Sequence, residues 1–185
     1  MINNRGGSTY YNNSWTMQVL NITEFVEFIY TKYPEANIIE FGTAYGGLTN
    51  LLCDFYGKRR SYDKDPIAVA YSKHAENSFL IGDVHDDLFL EEQFKSNLEE
   101  EKITIFFIDG GDKALEFNKV KKYAKPGDIL MVHDYMINQE DFETRGKDVW
   151  NHFEVGEDDL DLEDITRAPF FDKGISYAWG AYQKQ

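Results

Sequence analysis

The 185-residue chain has a single cysteine, Cys53, so no intrachain disulfide can form. Its place in an apolar stretch suits a small core residue better than a reactive thiol, and a reducing compartment is expected. No run approaches the eighteen or so uninterrupted apolar residues of a spanning helix, and the opening "MINNRGGSTYYNNSW" is polar where a secretory leader would be greasy. A cytoplasmic location is therefore expected. Positive charge is scarce: 19 Lys and Arg stand against 33 Asp and Glu, a formal net charge of -14. That balance disfavours nucleic acid and an anionic membrane surface as partners. Internal repeats, low-complexity segments and linkers are also lacking, and the length fits one domain, 1–185, able to bury its own core.

What is present begins with residues 1–15, rich in Gly, Asn and Tyr, which read as a flexible arm. From Thr16 the apolar positions Val19, Ile22, Val26 and Ile29 recur three and four apart, which predicts a leading amphipathic helix over 16–33 that Pro34 ends. The period then changes across a core spanning 37–185. "NIIEFG" at 37–42, "RRSYD" at 59–63, "SFLIGD" at 78–83, "ITIFFID" at 103–109 and "DILMVHD" at 128–134 are short, mostly apolar and bounded by turn or charged residues, as strands are. Helix-length segments lie between them, among them "AVAYSKHAENS" and "KALEFNKVKKYAK", and another follows near 141–153. Alternation of this kind implies an α/β fold in three layers, with a parallel sheet covered on both faces. The acidic run "EVGEDDLDLED" reads as a solvated loop. At the end, "ITRAPFF" and "ISYAWGAYQ" are separated only by "DKG", a connection short enough for an antiparallel hairpin at the sheet edge.

In an open parallel sheet ligands sit beyond the carboxyl ends of the strands. Each predicted strand ends in an acid: Glu40, Asp63, Asp83, Asp109 and, after His133, Asp134. Gly42, Gly46 and Gly47 follow the first strand. They serve equally to open a helix N-terminus beside a ligand or to let strand and helix pack closely. Asp63 decides between these, because it lies 21 residues past Gly42, near the spacing at which an acid holds an adenosine ribose. "EFGTAYGG" departs from the G-x-G-x-x-G pattern that seats a pyrophosphate, and a rim of acids suits a cationic sulfonium nucleoside better than a diphosphate.

"IIEFGTAYGG", "SYDKDP", "IGDVHD", "FFIDGG" and "KPGDILMVHDY", in this order and spacing, resemble the class I S-adenosylmethionine-dependent methyltransferases. Within them the chain is most similar to the metal-dependent small-molecule O-methyltransferases, including sugar and macrolide methyltransferases and the cephalosporin hydroxylase-like group. The resemblance covers Ile38 to Tyr135 and implies a Rossmann-like, seven-stranded, mostly parallel sheet with an antiparallel last strand. It implies that Glu40, Gly42 and Gly46, with Thr43 and Gly47, frame the methionine part of the cofactor. Asp63 and Lys64 would serve the ribose, and Asp83 with Val84 the adenine, with Asp109 at the reacting end. Asp109 and Asp134 would ligate magnesium or a similar ion, and neighbouring strands about 4.8 Å apart permit it.

The match departs at the catalytic base. Relatives carry His or Lys after the fourth strand, where this chain has "IDGGDK" with Asp112 in the histidine's place. Asp109, Asp112 and His133 are the candidate catalytic residues, with Lys113 a further one; His133 also reads as a packed strand-end residue and Lys113 as a solvated first-turn residue. His85 is placed to flank the adenine, while His74 and His152 have no evident partners. Tyr10, Tyr11 and Trp15 either line an acceptor pocket or simply pack. The expected partners are a small-molecule acceptor and, at most, a second copy of the chain in a homodimer. Competing readings are a non-catalytic nucleoside-binding module and an NAD-dependent oxidoreductase.

Overall fold

A computed structural model describes residues 9–11, 14–16, 22–44, 46–57, 60–66, 79–147 and 152–185. Seven strands form the main sheet: β3 (Asn37–Phe41), β4 (Arg60–Asp63), β5 (Phe79–Ile81), β6 (Thr104–Ile108), β7 (Ile129–Val132), β8 (Ile165–Arg167) and β9 (Gly180–Lys184). Their order is β5-β4-β3-β6-β7-β9-β8, and β9 alone runs antiparallel to its neighbours. The expected seven-stranded sheet with an antiparallel last strand is present. A separate ribbon pairs β1 (Thr9–Tyr11) with β2 (Ser14–Thr16).

Alternation along the central strands sorts side chains to two faces. Ile38, Ile105, Phe107, Ile129 and Met131 pack with α1 (Ile22–Lys32) and α2 (Gly47–Tyr56) on one side. Ile39, Phe41, Phe106, Ile108, Leu130 and Val132 pack on the other with α3 (Asp87–Phe94) and α4 (Lys113–Val120). All five residues of β6 are buried, as befits the central strand whose sequence carries no polar alternation.

Several predicted boundaries move. The leading helix is described over Ile22–Lys32; Thr16, where it was predicted to begin, is instead paired in β2, and residues 17–21 lie outside the described residues. The predicted helix at 68–78, with His74, also lies outside them. Near 141–153 the helical turn Gln139–Asp141 runs into a π-helical turn, Phe142–Gly146, and 148–151 are not described. The closing strands do pair, but the link between them is no three-residue turn: it holds a helix, Phe171–Ile175, whose Phe171 and Ile175 fill the core. The acidic run is solvated over most of its acids, with Glu154, Asp158, Asp159, Asp161, Glu163 and Asp164 exposed, but it is tied to the rest of the fold. Val155 bridges to Tyr135, and Glu154, Glu157 and Asp161 pair with Lys113, Arg167 and Lys121. Among the described residues no helix is long and apolar enough to cross a membrane.

Candidate active site

The strand ends stop at one height because the ladder continues one step beyond each strand. Gly42 N–H donates to Tyr62 C=O at 2.9 Å, Gly82 to Asp63 at 3.0 Å, Asp109 to Phe41 at 2.9 Å and His133 to Ile108 at 3.0 Å. Gly42 has φ +88°, and a Cβ there would lie 2.2 Å from the Asp109 carbonyl oxygen. The glycine therefore lets β3 and β6 cross closely where the chain order reverses, the place where such sheets bind ligands. Close packing and an open crevice are served by the same residue.

Beyond Gly42 the loop is tied to the neighbouring strand: Ala44 N–H donates to Asp63 Oδ2 at 2.9 Å, and Asp63 Oδ1 accepts from Asp65 N–H at 2.8 Å. Gly46, in the left-handed region at φ 73°, precedes the first turn of α2. Beneath the loop lies a buried polar layer, in which Thr49 donates to Glu40 at 2.6 Å and Ser61 meets both Thr43 and Thr49. Glu40, Thr43, Gly46 and Gly47 are buried in this support.

The cleft itself, about 230 Å³, is lined by Gly42, Asp63, Lys64, Asp83, Val84 and Asp109 among others. Six of the expected cofactor residues thus meet in one space. Asp83 also holds its own turn through His85 N–H at 2.9 Å, and His85 shares the lining.

At the β6 and β7 ends, Asp109, His133 and Asp134 come together, with one ligating atom from each within 4.8 Å of the others. Asp134 has φ 52°, which breaks strand alternation and lets it share a site with the adjacent His133. His133 Nδ1 lies 2.8 Å from Asp109 Oδ1 and 3.3 Å from Asp134 Oδ1, its ring against Trp179. Burial works against its charge, but the two carboxylates outweigh this and push it up to about 10. With Nδ1 engaged by both carboxylates and Nε2 buried without a hydrogen-bond partner, the ring is poorly placed to accept a substrate proton.

Lys113 was legible only as a surface residue or a base. It is buried, with Nζ 3.0 Å from both Asp134 Oδ2 and Glu154 Oε2. Burial opposes its charge, yet Asp109, Asp134 and Glu154 hold it above the usual lysine range. Asp134 also loses solvation on burial, but His133 and Lys113 hold it well below the usual carboxylate range. Asp112 accepts from Leu115 N–H at 3.1 Å and caps α4. It also lines, with Lys113, His152, Phe153 and Glu154, a second cavity of about 480 Å³ that meets the first at Gly111. Tyr10, Tyr11 and Trp15 lie in β1 and β2, and their side chains are outside the described residues.

Two site residues gave no sequence signal. Glu116, 1 % exposed, accepts from Gly110 and Asp112 N–H at 3.1 and 3.3 Å and so sets the loop that floors the cleft. Glu154, 41 residues beyond Lys113, lay in what read as a solvated run.

No protein-family model matches the sequence, and no curated protein matches it. Among solved structures, a SAM-dependent methyltransferase from Anabaena variabilis aligns over 89 % of this chain and 84 % of its own, at 12 % identity and TM-score 0.56. The fold is that of the S-adenosylmethionine-dependent methyltransferases. A second match, a structure solved for conversion of a disulfide bond into a thioacetal group during echinomycin biosynthesis, covers 91 % of this chain and 82 % of its own, at 13 % identity and TM-score 0.51. The chain spans only 56 % of an O-methyltransferase from Bacillus cereus in complex with SAH, which covers 61 % of this chain at 17 % identity and TM-score 0.45. On this methyltransferase fold the cleft lies at the reversal between β3 and β6, so the residues the sequence assigned to the cofactor flank the switch point.

The donor sets differ in how well they suit the groups the resemblance implies. Acids around the cleft and the missing side chain at Gly42 fit a cationic adenosine thioether. For magnesium the fit fails: the ion demands an octahedron of oxygens at about 2.0–2.1 Å, whereas here a ring nitrogen and an ammonium already face the carboxylate oxygens.

Proposed function

We propose that the protein is a methyltransferase that transfers a methyl group from S-adenosylmethionine to a hydroxyl of a small polar acceptor, such as a sugar or natural-product intermediate. The observation that carries this reading is the meeting of Gly42, Asp63, Asp83 and Asp109 in one cleft at the β3–β6 reversal. When bound there, S-adenosylmethionine supplies an electrophilic methyl on a positively charged sulfur. Asp63 is placed to accept from ribose hydroxyls, its carboxylate already fixed by Ala44 and Asp65 N–H. Asp83 and Val84 lie across the cleft as the adenine end, and Asp109 supplies negative charge on the opposite wall.

The second cavity supports a small polar acceptor. It is lined by Asp112, Lys113, His152 and Glu154 and opens toward the first past Gly111, where a Cβ would meet nothing within 4 Å. Catalysis would then come mainly from holding the hydroxyl in line at that junction, since orientation alone contributes on the order of 7–11 kcal/mol in favourable cases. S-adenosylhomocysteine leaves as the oxygen–methyl bond forms, and the hydroxyl proton passes to solvent water. The test is release of S-adenosylhomocysteine on incubation with nucleotide sugars and free glycosides. Turnover with at least one acceptor, lost in Asp63→Ala, is the expected result; tight cofactor binding with no transfer to any hydroxyl would favour a non-catalytic module.

A further inference from the structure

We propose that Lys113 is the built-in cation of the acceptor site, standing with His133 where a divalent metal would otherwise bind. The inference rests on the methyltransferase reading for its role, but its geometry stands alone. Asp109, Asp134 and Glu154 converge from the ends of β6 and β7 and from the segment leading to Val155. Three carboxylates this close are costly unless positive charge joins them. Lys113 joins two of them at 3.0 Å each, and His133 joins the third pairing at 2.8 Å. Together the ammonium and the imidazole nitrogen take up the carboxylate oxygens that a magnesium ion would need.

The ammonium is placed for use as well as for balance. Lys113 starts α4 and also lines the second cavity, beside Gly111, so its stem reaches the wall against which an acceptor hydroxyl would rest. Glu154 acts as its tether: with one oxygen on Lys113 and the other 3.2 Å from His152 Nε2, it fixes the ammonium on the Asp134 side. A divalent ion at the same carboxylates would have to expel the ammonium from Asp134 and strip the proton between His133 and Asp109. In this account Lys113 keeps Asp134 and Glu154 in place and orients the acceptor oxygen.

The test is titration of the purified full chain with Mn2+, followed by calorimetry and by the paramagnetic signal of the free ion. The wild type and Lys113→Arg should show no binding, while Lys113→Gln should bind Mn2+ at least about tenfold more tightly than either. Turnover of the wild type should be unchanged after dialysis against EDTA. Wild-type Mn2+ binding that disappears in Asp134→Asn would overturn the proposal, as would a folded Lys113→Gln that stays silent. Lys113→Met, which keeps the packed stem, replaces the glutamine variant if that one does not fold. If neither folds, the wild-type titration and its EDTA response decide. Calorimetry with S-adenosylhomocysteine on the same sample separates failure of the cofactor reading from failure of the cation assignment.

Discussion

At Gly42 and Gly111 the same substitution should have opposite consequences. Gly42→Ala drives a methyl into the Asp109 carbonyl at a positive φ, and should cost at least about 2 kcal/mol of stability by chemical denaturation. Gly111→Ala meets no neighbour, so its unfolding free energy should stay within about 0.5 kcal/mol of the wild type while turnover falls, because the methyl enters the passage between the cavities. Glu116 gives a pH signature. Burial raises its pKa, against the opposing pull of the Asp112 and Gly110 amides and of His85. A raised folded value means that the native state holds this proton longer than the unfolded one, so stability from this group is lost as pH rises above the ordinary glutamate range. Comparing unfolding free energies at pH 4 and pH 7, the wild type should lose ground relative to Glu116→Gln as pH rises; an unchanged difference would contradict the assignment. Asp63 and Gly42 were legible because strand ends and spacing announce them. Glu116 was not, since a lone acid on a helix reads as solvent-facing and only the tertiary loop of Gly110 to Asp112 turns it inward.

Elements separate the site edge from the structural edge of the sheet. At the amino ends of β6 and β7, Asp128 is fully buried and accepts from Thr104 N–H, Lys125 N–H, Asn97 Nδ2 and Lys125 Nζ between 2.8 and 3.1 Å. Asp128→Ala strands these donors and should cost about 3–5 kcal/mol in thermal or denaturant unfolding. Affinity for S-adenosylhomocysteine, measured well below the lowered melting point, should be unchanged, because the knot lies at the opposite edge from the cleft. The five parallel strands were readable from short apolar runs, and α4 from its apolar spacing. The strand at Thr16 was not, because its pairing with Thr9 of β1 holds it extended despite a helical period nearby. Likewise the ion pairs of Glu154, Glu157 and Asp161 were not legible because their partners Lys113, Arg167 and Lys121 come from other parts of the chain.

Over the whole molecule, a continuous sheet with one reversal of strand order brings side chains from five strand ends to one edge, and the formal charge of -14 surrounds them with negative field. That field favours a cationic ligand and opposes polyanions, so no retardation of DNA or RNA is expected in gel shifts even at low salt, where attraction would be strongest. A parallel sheet was legible from the alternation of strands and helices, and its seven strands with an antiparallel last one from the family resemblance, whereas the convergence of Lys113 and Glu154 on the site depends on how the segment after Tyr135 folds back beside α4. The most direct measurement is a calorimetric titration of the wild type and Asp63→Ala with S-adenosylhomocysteine and, separately, with NAD. The account predicts saturable binding of S-adenosylhomocysteine at one site per chain, weakened at least about tenfold in Asp63→Ala, and no binding of NAD. Binding of NAD with none of S-adenosylhomocysteine would contradict it.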